Sequence, residues 1–246
     1  PAARATDHEF MRRAFIDLIG RIPTPEEIID FELDRSANKR AKLVHRLMNS
    51  ENYTPKGVAG KPLTAIPGLK TVPINYNDAH AENFADLWTT WLLTRSNVHP
   101  LYRSQFHLWL TSQFVNGAID RKTKTIYPEG KPWNLIVQDL IGASGRSNPD
   151  GSVVFVIRHL GEPIAAEAGG KPDYAKEGKY DAVPITSRVT RVFLGIQSQC
   201  TQCHDHPSNK EYYQSDFWGV NAFFKQTDRS GNINPPRQNK DVLPPP

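Results

Sequence analysis

The sequence predicts a mainly α fold: a single irregular helical domain with long loops and little β structure. Three observations carry that reading. Apolar residues recur at intervals of three and four through most of the chain, several of these stretches open on capping signals, and Gly and Pro gather in the segments between them.

Each element has its own signal. Thr6 and Glu9 form a capping box ahead of Phe10, Ala14 and Leu18, and Gly20 is placed to end that first helix. Thr24-Pro25-Glu26-Glu27 starts the second, with Pro25 where its missing N–H costs nothing and Glu27 closing the box. Ser36 precedes a third, whose apolar face is Ala41, Val44, Leu47 and Met48. Residues 54–77 carry Pro55, Gly57, Gly60, Pro62, Pro67, Gly68 and Pro73, which predict a loop insertion or a weak hairpin. Helical spacing returns at Phe84, Leu87, Trp88, Trp91 and Leu92, and again after Pro100 at Tyr102, Phe106, Trp109, Leu110 and Phe114. Trp133 to Ile141 predicts a short helix. Residues 145–184 are rich in Gly, Pro and Asp, and their apolar run, Val153 to Ile157, fits a strand or a helix equally well. The sharpest helix spans 188–203, where Val189, Val192, Phe193, Ile196, Cys200 and Cys203 fall on one stripe. An aromatic helix follows from about Lys210 to Phe224. The domain is expected to cover residues 1–226, and residues 227–246 read as a Pro-rich tail or linker.

Composition narrows the class. With 246 residues, 38% hydrophobic and 23% charged, the chain is long enough for a real core and ordinary for a globular protein. No run approaches the roughly 18 apolar residues of a membrane span. The net charge of +4 is spread along the chain, which argues against a nucleic-acid partner. The opening at Pro1 predicts a processed or trimmed product.

The chain has two cysteines, three apart, with a histidine after them: Cys200-Thr201-Gln202-Cys203-His204. This is the C-x-x-C-H pattern of covalent haem attachment. Two thiols at that spacing on a helical turn share one side, placed to add to the two vinyl groups on one edge of a porphyrin. The next residue then presents its imidazole to the iron. The pattern predicts one covalent haem c, with Cys200 and Cys203 as thioether anchors and His204 as the proximal ligand. The other ring nitrogen of His204 is expected to donate to a carbonyl or carboxylate. Phe193, Ile196 and Phe217 are expected to pack against the ring.

Other chemistries fit less well. Zinc on Cys200, Cys203, His204 and His206 would need neighbouring ligands at 203 and 204, which strains a tetrahedral site. A thioredoxin-type pair lacks its strand–helix alternation, and a short-loop disulfide is the remaining alternative. Gly169-Gly170 is too short for a phosphate cradle, and no carboxylate pair or nucleophile triad stands out.

The stretch from Arg191 through Cys200-Thr201-Gln202-Cys203-His204-Asp205-His206-Pro207, followed by Asp216 to Phe224, resembles the planctomycete cytochrome c domain family. Asp7 to Glu27 is similar to that family's opening motif, and Trp88 to Arg95 and Trp133 to Gly145 also look similar, so the likeness runs from about residue 7 to 226. It implies an exported protein, often with further domains in a longer chain. The loop at 54–77 departs from the family in length and in its Pro and Gly content.

Function turns on the sixth position of the iron. His159, which follows the Val153–Ile157 run, is the first candidate for a distal ligand; His107, between Phe106 and Leu108, is the second. His8, His45, His80, His99, His206, Met11 and Met48 are weaker: Met11 and Met48 read as core filler, and His206 is too near His204 to reach the opposite face. No Met follows Met48, so the iron must be closed, if at all, from upstream chain. The leading expectation is one-electron transfer with a redox protein or a membrane electron-transfer partner, at a periplasmic or extracellular site. A haem enzyme or gas-binding protein with an open sixth position is one alternative. A structural or interaction module stapled by haem or zinc is another.

Overall fold

The computed structural model describes residues 5–55, 73–94, 100–148, 150–164 and 178–227. Most of the 54–77 insertion, His99, Gly169-Gly170 and the tail beyond Thr227 lie outside the described residues. The architecture is mainly α. Its helices are α1 (Asp7–Ile19), α2 (Pro25–Leu33), α3 (Lys39–Asn49), α4 (Tyr76–Leu93), α5 (Pro100–Phe114), α6 (Trp133–Ile141), α7 (Val153–His159), α8 (Val183–Phe193) and α9 (Gln214–Lys225), with a 3-10 turn at Ser198–Gln202. The β structure among the described residues is an antiparallel pair of two-residue strands, β1 (Ala118–Ile119) and β2 (Ile126–Tyr127), and isolated bridges such as Tyr53 with Ile74.

The chain divides into two compact units, residues 1–88 with 110–131 and residues 89–109 with 132–246. In the first unit, both capping boxes form as the sequence predicts. The Thr6 hydroxyl accepts from the Glu9 N–H while the Glu9 carboxylate accepts from the Thr6 N–H, and Thr24 and Glu27 repeat the pattern. Gly20 ends α1 in the left-handed region at φ 77°. A Cβ there would lie 2.5 Å from the Asn83 side-chain oxygen, so glycine answers both the turn and the close approach. The core gathers Met11, Phe15 and Ile19 of α1, Phe31 of α2, Leu43 and Leu47 of α3 and Tyr76. The buried face of α3 is thus rotated from the expected one, and Met48 is 38% exposed.

Glu27 organises this core. It is fully buried and accepts from Arg21 at 2.6 and 2.8 Å, from Tyr76 Oη at 2.6 Å and from the Thr24 N–H at 2.7 Å. Burial alone would push its carboxyl up, but the bonds from Arg21, Tyr76 and Thr24 outweigh it and hold the group below the usual carboxylate range.

In the second unit, the Val153–Ile157 run resolves as helix α7, buried along Val153, Val154, Phe155 and Val156. Helix α7 packs on α6, where Ile136 and Leu140 are buried, and on α8, where Ile185 and Val189 are buried. Asn221 of α9 donates to the Thr186 hydroxyl of α8 at 3.2 Å. That bond fixes the helix that follows the cysteines against the helix that precedes them.

Candidate functional site: the Cys-Thr-Gln-Cys-His turn

The continuous helix expected over 188–203 is broken. Helix α8 stops at Phe193, Gly195 takes a left-handed conformation at φ 68°, and the chain re-enters as the 3-10 turn Ser198–Gln202. A 3-10 turn has three residues per turn, so residues three apart stack directly. Ser198 and Thr201 form its buried edge, and Cys200 and Cys203 form its outward one. The single apolar stripe is therefore replaced by two edges with opposite roles. Both cysteines are free, exposed thiols, so they form no short-loop disulfide.

The turn is held at both ends by polar contacts that sequence periodicity does not reveal. The Thr190 and Ser198 hydroxyls meet at 2.6 Å, and the Thr201 hydroxyl donates to the Ser198 carbonyl at 2.8 Å. From α9, Trp218 Nε1 and Gln214 Nε2 both donate to the Gln202 carbonyl, at 3.1 and 3.2 Å. The Gln214 N–H donates to Asp205 at 2.8 Å. The threonines and serine carry no signal in the pattern, and Trp218 is one of several aromatics between Lys210 and Phe224.

His204 is exposed, and its Nδ1 lies 2.6 Å from the Asp205 carbonyl oxygen. A carbonyl only accepts, so Nδ1 carries the proton and Nε2 holds the lone pair. This is the ring state a metal-ligating histidine needs. His206 has the opposite arrangement: its Nδ1 accepts from the Asn209 N–H at 3.0 Å and is occupied. Among the described residues no group of three or more His, Cys, Asp or Glu side chains is arranged to hold a metal ion, so the four candidate zinc ligands do not converge.

The other nominated residues are dispersed. Ile196 and Phe217 line an apolar cleft of about 260 Å³ together with Leu194, Thr201, Tyr212 and Val220. Phe193 packs elsewhere, with ring centroids 5.7 Å from Phe155 and 6.5 Å from Trp133. His159 is buried, with Nε2 2.7 Å from the Leu92 carbonyl and its ring edge-on to Phe155. Burial, reinforced by the Arg188 and Arg158 charges, holds it down to about 4, so it is neutral at physiological pH. His107 sits half-buried on α5. Of the weaker candidates, His80 donates from Nδ1 to the Leu18 carbonyl at 3.0 Å, and His8 pairs with Glu32. Met11 lies in the core of the first unit.

The donor set fits a covalent haem. It offers two free outward thiols on one edge and an adjacent imidazole whose Nε2 has no partner among the described residues. No helix among the described residues is long and apolar enough to cross a membrane. No curated protein and no solved structure matches the chain. A family model does: PSCyt2, Protein of unknown function (DUF1549), over residues 1–229.

Proposed function

We propose that this chain, which belongs to the PSCyt2 family, is a c-type cytochrome domain that carries one covalent haem and transfers single electrons outside the cytoplasm. The carrying observation is the pairing of Cys200 and Cys203 on the outward edge of one turn with His204, whose Nδ1 is already committed to Asp205. The family's cytochrome-type name supports the same reading.

In this reading Cys200 and Cys203 would hold the haem through two thioether bonds, the sulfur and the hydrogen of each thiol adding to the two carbons of one vinyl group. His204 would supply the proximal lone pair from Nε2, and the Asp205 carbonyl keeps its ring oriented. Bound haem supplies a ferric/ferrous couple of one electron. Thr190, Ser198, Gln214 and Trp218 hold the turn that carries both anchors in place. The partner is a redox protein or a membrane-bound electron carrier, and the domain works in the periplasm or outside the cell, where c-type haem is joined to its protein.

A second reading, a haem with an open sixth position, is favoured by His159. Its Nε2 is committed to Leu92, and it would have to leave that bond to ligate iron through that atom. The experiment that tests the proposal is an intact mass of the denatured protein after expression in a host that matures c-type cytochromes. An increment of one haem that C200S/C203S abolishes supports it; two free thiols in such a preparation overturn it. Carbon monoxide added to the reduced protein then separates the readings: refusal marks a closed electron carrier, and ready binding marks an open site.

A further inference from the structure

A cleft of about 250 Å³ in the second unit collects three arginines: Arg158 at the end of α7, and Arg188 and Arg191 on one face of α8. Among the described residues no acidic side chain lines it. Among the described residues Arg188 has no ion pair, and its Nε is buried without a hydrogen-bond partner. Ser187, on the same helix face, is only 7% exposed, lines the cleft, and carries a buried hydroxyl with no partner among the described residues. Buried donors without acceptors are costly, and three like charges around one small cleft repel one another. The strain shows in Arg188, whose basicity is lowered first by burial and then by Arg191 and Arg158. His159, in the same cleft, is kept neutral and adds no further charge.

These costs cancel when an anion with several acceptor oxygens enters. A guanidinium fork matches the oxygens of a carboxylate or phosphate, and the Ser187 hydroxyl adds a donor. Gln199, which immediately precedes Cys200, also lines the cleft. We propose that the Arg158–Arg188–Arg191 cleft is an oxyanion site. Its occupant is either a free oxyanion or a propionate of a haem bonded at the neighbouring cysteines. The propionate source rests on the haem reading; the free-anion source does not.

The test is calorimetric titration of the full chain with inorganic phosphate at low ionic strength, with circular dichroism to check folding. A free-anion site binds phosphate saturably. R188Q and R191Q, made separately so that one serves if the other misfolds, each weaken binding roughly tenfold or more, as expected for loss of a charge-assisted pair. R35Q, outside the cleft, leaves binding unchanged. A propionate site rejects phosphate in the haem-bearing chain. R188Q then raises, by roughly one pH unit, the pH at which the midpoint potential begins to fall, because the propionate loses its cation. Phosphate binding undiminished in both variants overturns the proposal, and so does the absence of both responses. The intact mass shows separately whether haem is attached, so a chain without haem defeats the functional reading while the phosphate titration still decides the cleft.

Discussion

Thr190 and Ser198 face each other with their hydroxyl oxygens 2.6 Å apart, one on the last turns of α8 and the other opening the turn that carries both cysteines. Both are buried. T190V keeps the shape of the side chain and removes the hydroxyl, leaving Ser198 unsatisfied. The expected loss is about 1–3 kcal/mol, read from the urea midpoint with the slope unchanged. S198A should cost a similar amount, and the double variant much less than the sum, because the two share one bond. Additive losses would show that the contact does not couple helix and turn.

The Glu27 hub predicts a larger effect in the first unit. E27Q keeps the volume but removes the charge that Arg21 and Tyr76 address. Breaking a buried ion pair on one side is expected to cost about 3 kcal/mol. Arg21 is part exposed and recovers some solvation, which sets the value at the lower end of the usual range. Y76F removes one bond of several and should cost about 1 kcal/mol. Chemical denaturation of the two variants orders them, and a Y76F loss equal to that of E27Q would deny the carboxylate its central place.

The first two helices were legible because their signals are local. Thr6, Glu9, Thr24, Pro25, Glu27 and Gly20 each act within four residues of where they stand. The Cys-Thr-Gln-Cys-His motif was legible for the same reason. The path into it was not. Val192, Phe193 and Ile196 keep helical spacing up to Cys200, yet Gly195 breaks the helix between them, and a lone glycine in a periodic stretch is a weak stop signal. The clamp on the turn joins residues eight to sixteen positions apart, such as Trp218 with the Gln202 carbonyl, and no short-range pattern encodes such a bond. The arginine cleft was hidden because Arg158 lies on a different helix from Arg188 and Arg191, and only the packing of α7 on α8 brings them together.

Asp120 predicts a pH dependence. Its Oδ2 accepts from Lys131 at 2.6 Å, and its Oδ1 accepts from the Lys122 and Thr123 N–H groups at 2.8 Å. The Lys131 bond and then the backbone bond from Thr123 hold the carboxyl well below its ordinary value. A carboxyl depressed in the folded state binds fewer protons there than in the unfolded chain. Its contribution is therefore complete above the unfolded value of about 3.9 and is lost as pH falls below it. D120N retains an acceptor for the two N–H groups but takes the carboxylate charge away from the buried Lys131 ammonium, at a cost of about 3 kcal/mol near neutrality. The gap between wild type and D120N, measured by denaturation across pH, should shrink below pH 4. A gap that stays constant there would contradict the pairing.

His159 offers the sharpest separation of a structural from a ligating histidine. Its Nε2 donates to the Leu92 carbonyl at 2.7 Å, and its ring packs edge-on against Phe155 with centroids 4.9 Å apart. H159F preserves a planar ring in that packing and deletes the donor, which leaves the Leu92 carbonyl without that partner. The expected outcome is a loss of about 1–3 kcal/mol in stability with no change in the absorption spectrum of the reduced, haem-loaded protein. The two readouts are independent: a hydrogen bond to a carbonyl affects the denaturation midpoint, whereas a ligand on iron sets spin state and band position. If H159F instead converts a low-spin spectrum to a high-spin one, His159 leaves Leu92 when haem is present and closes the sixth position itself.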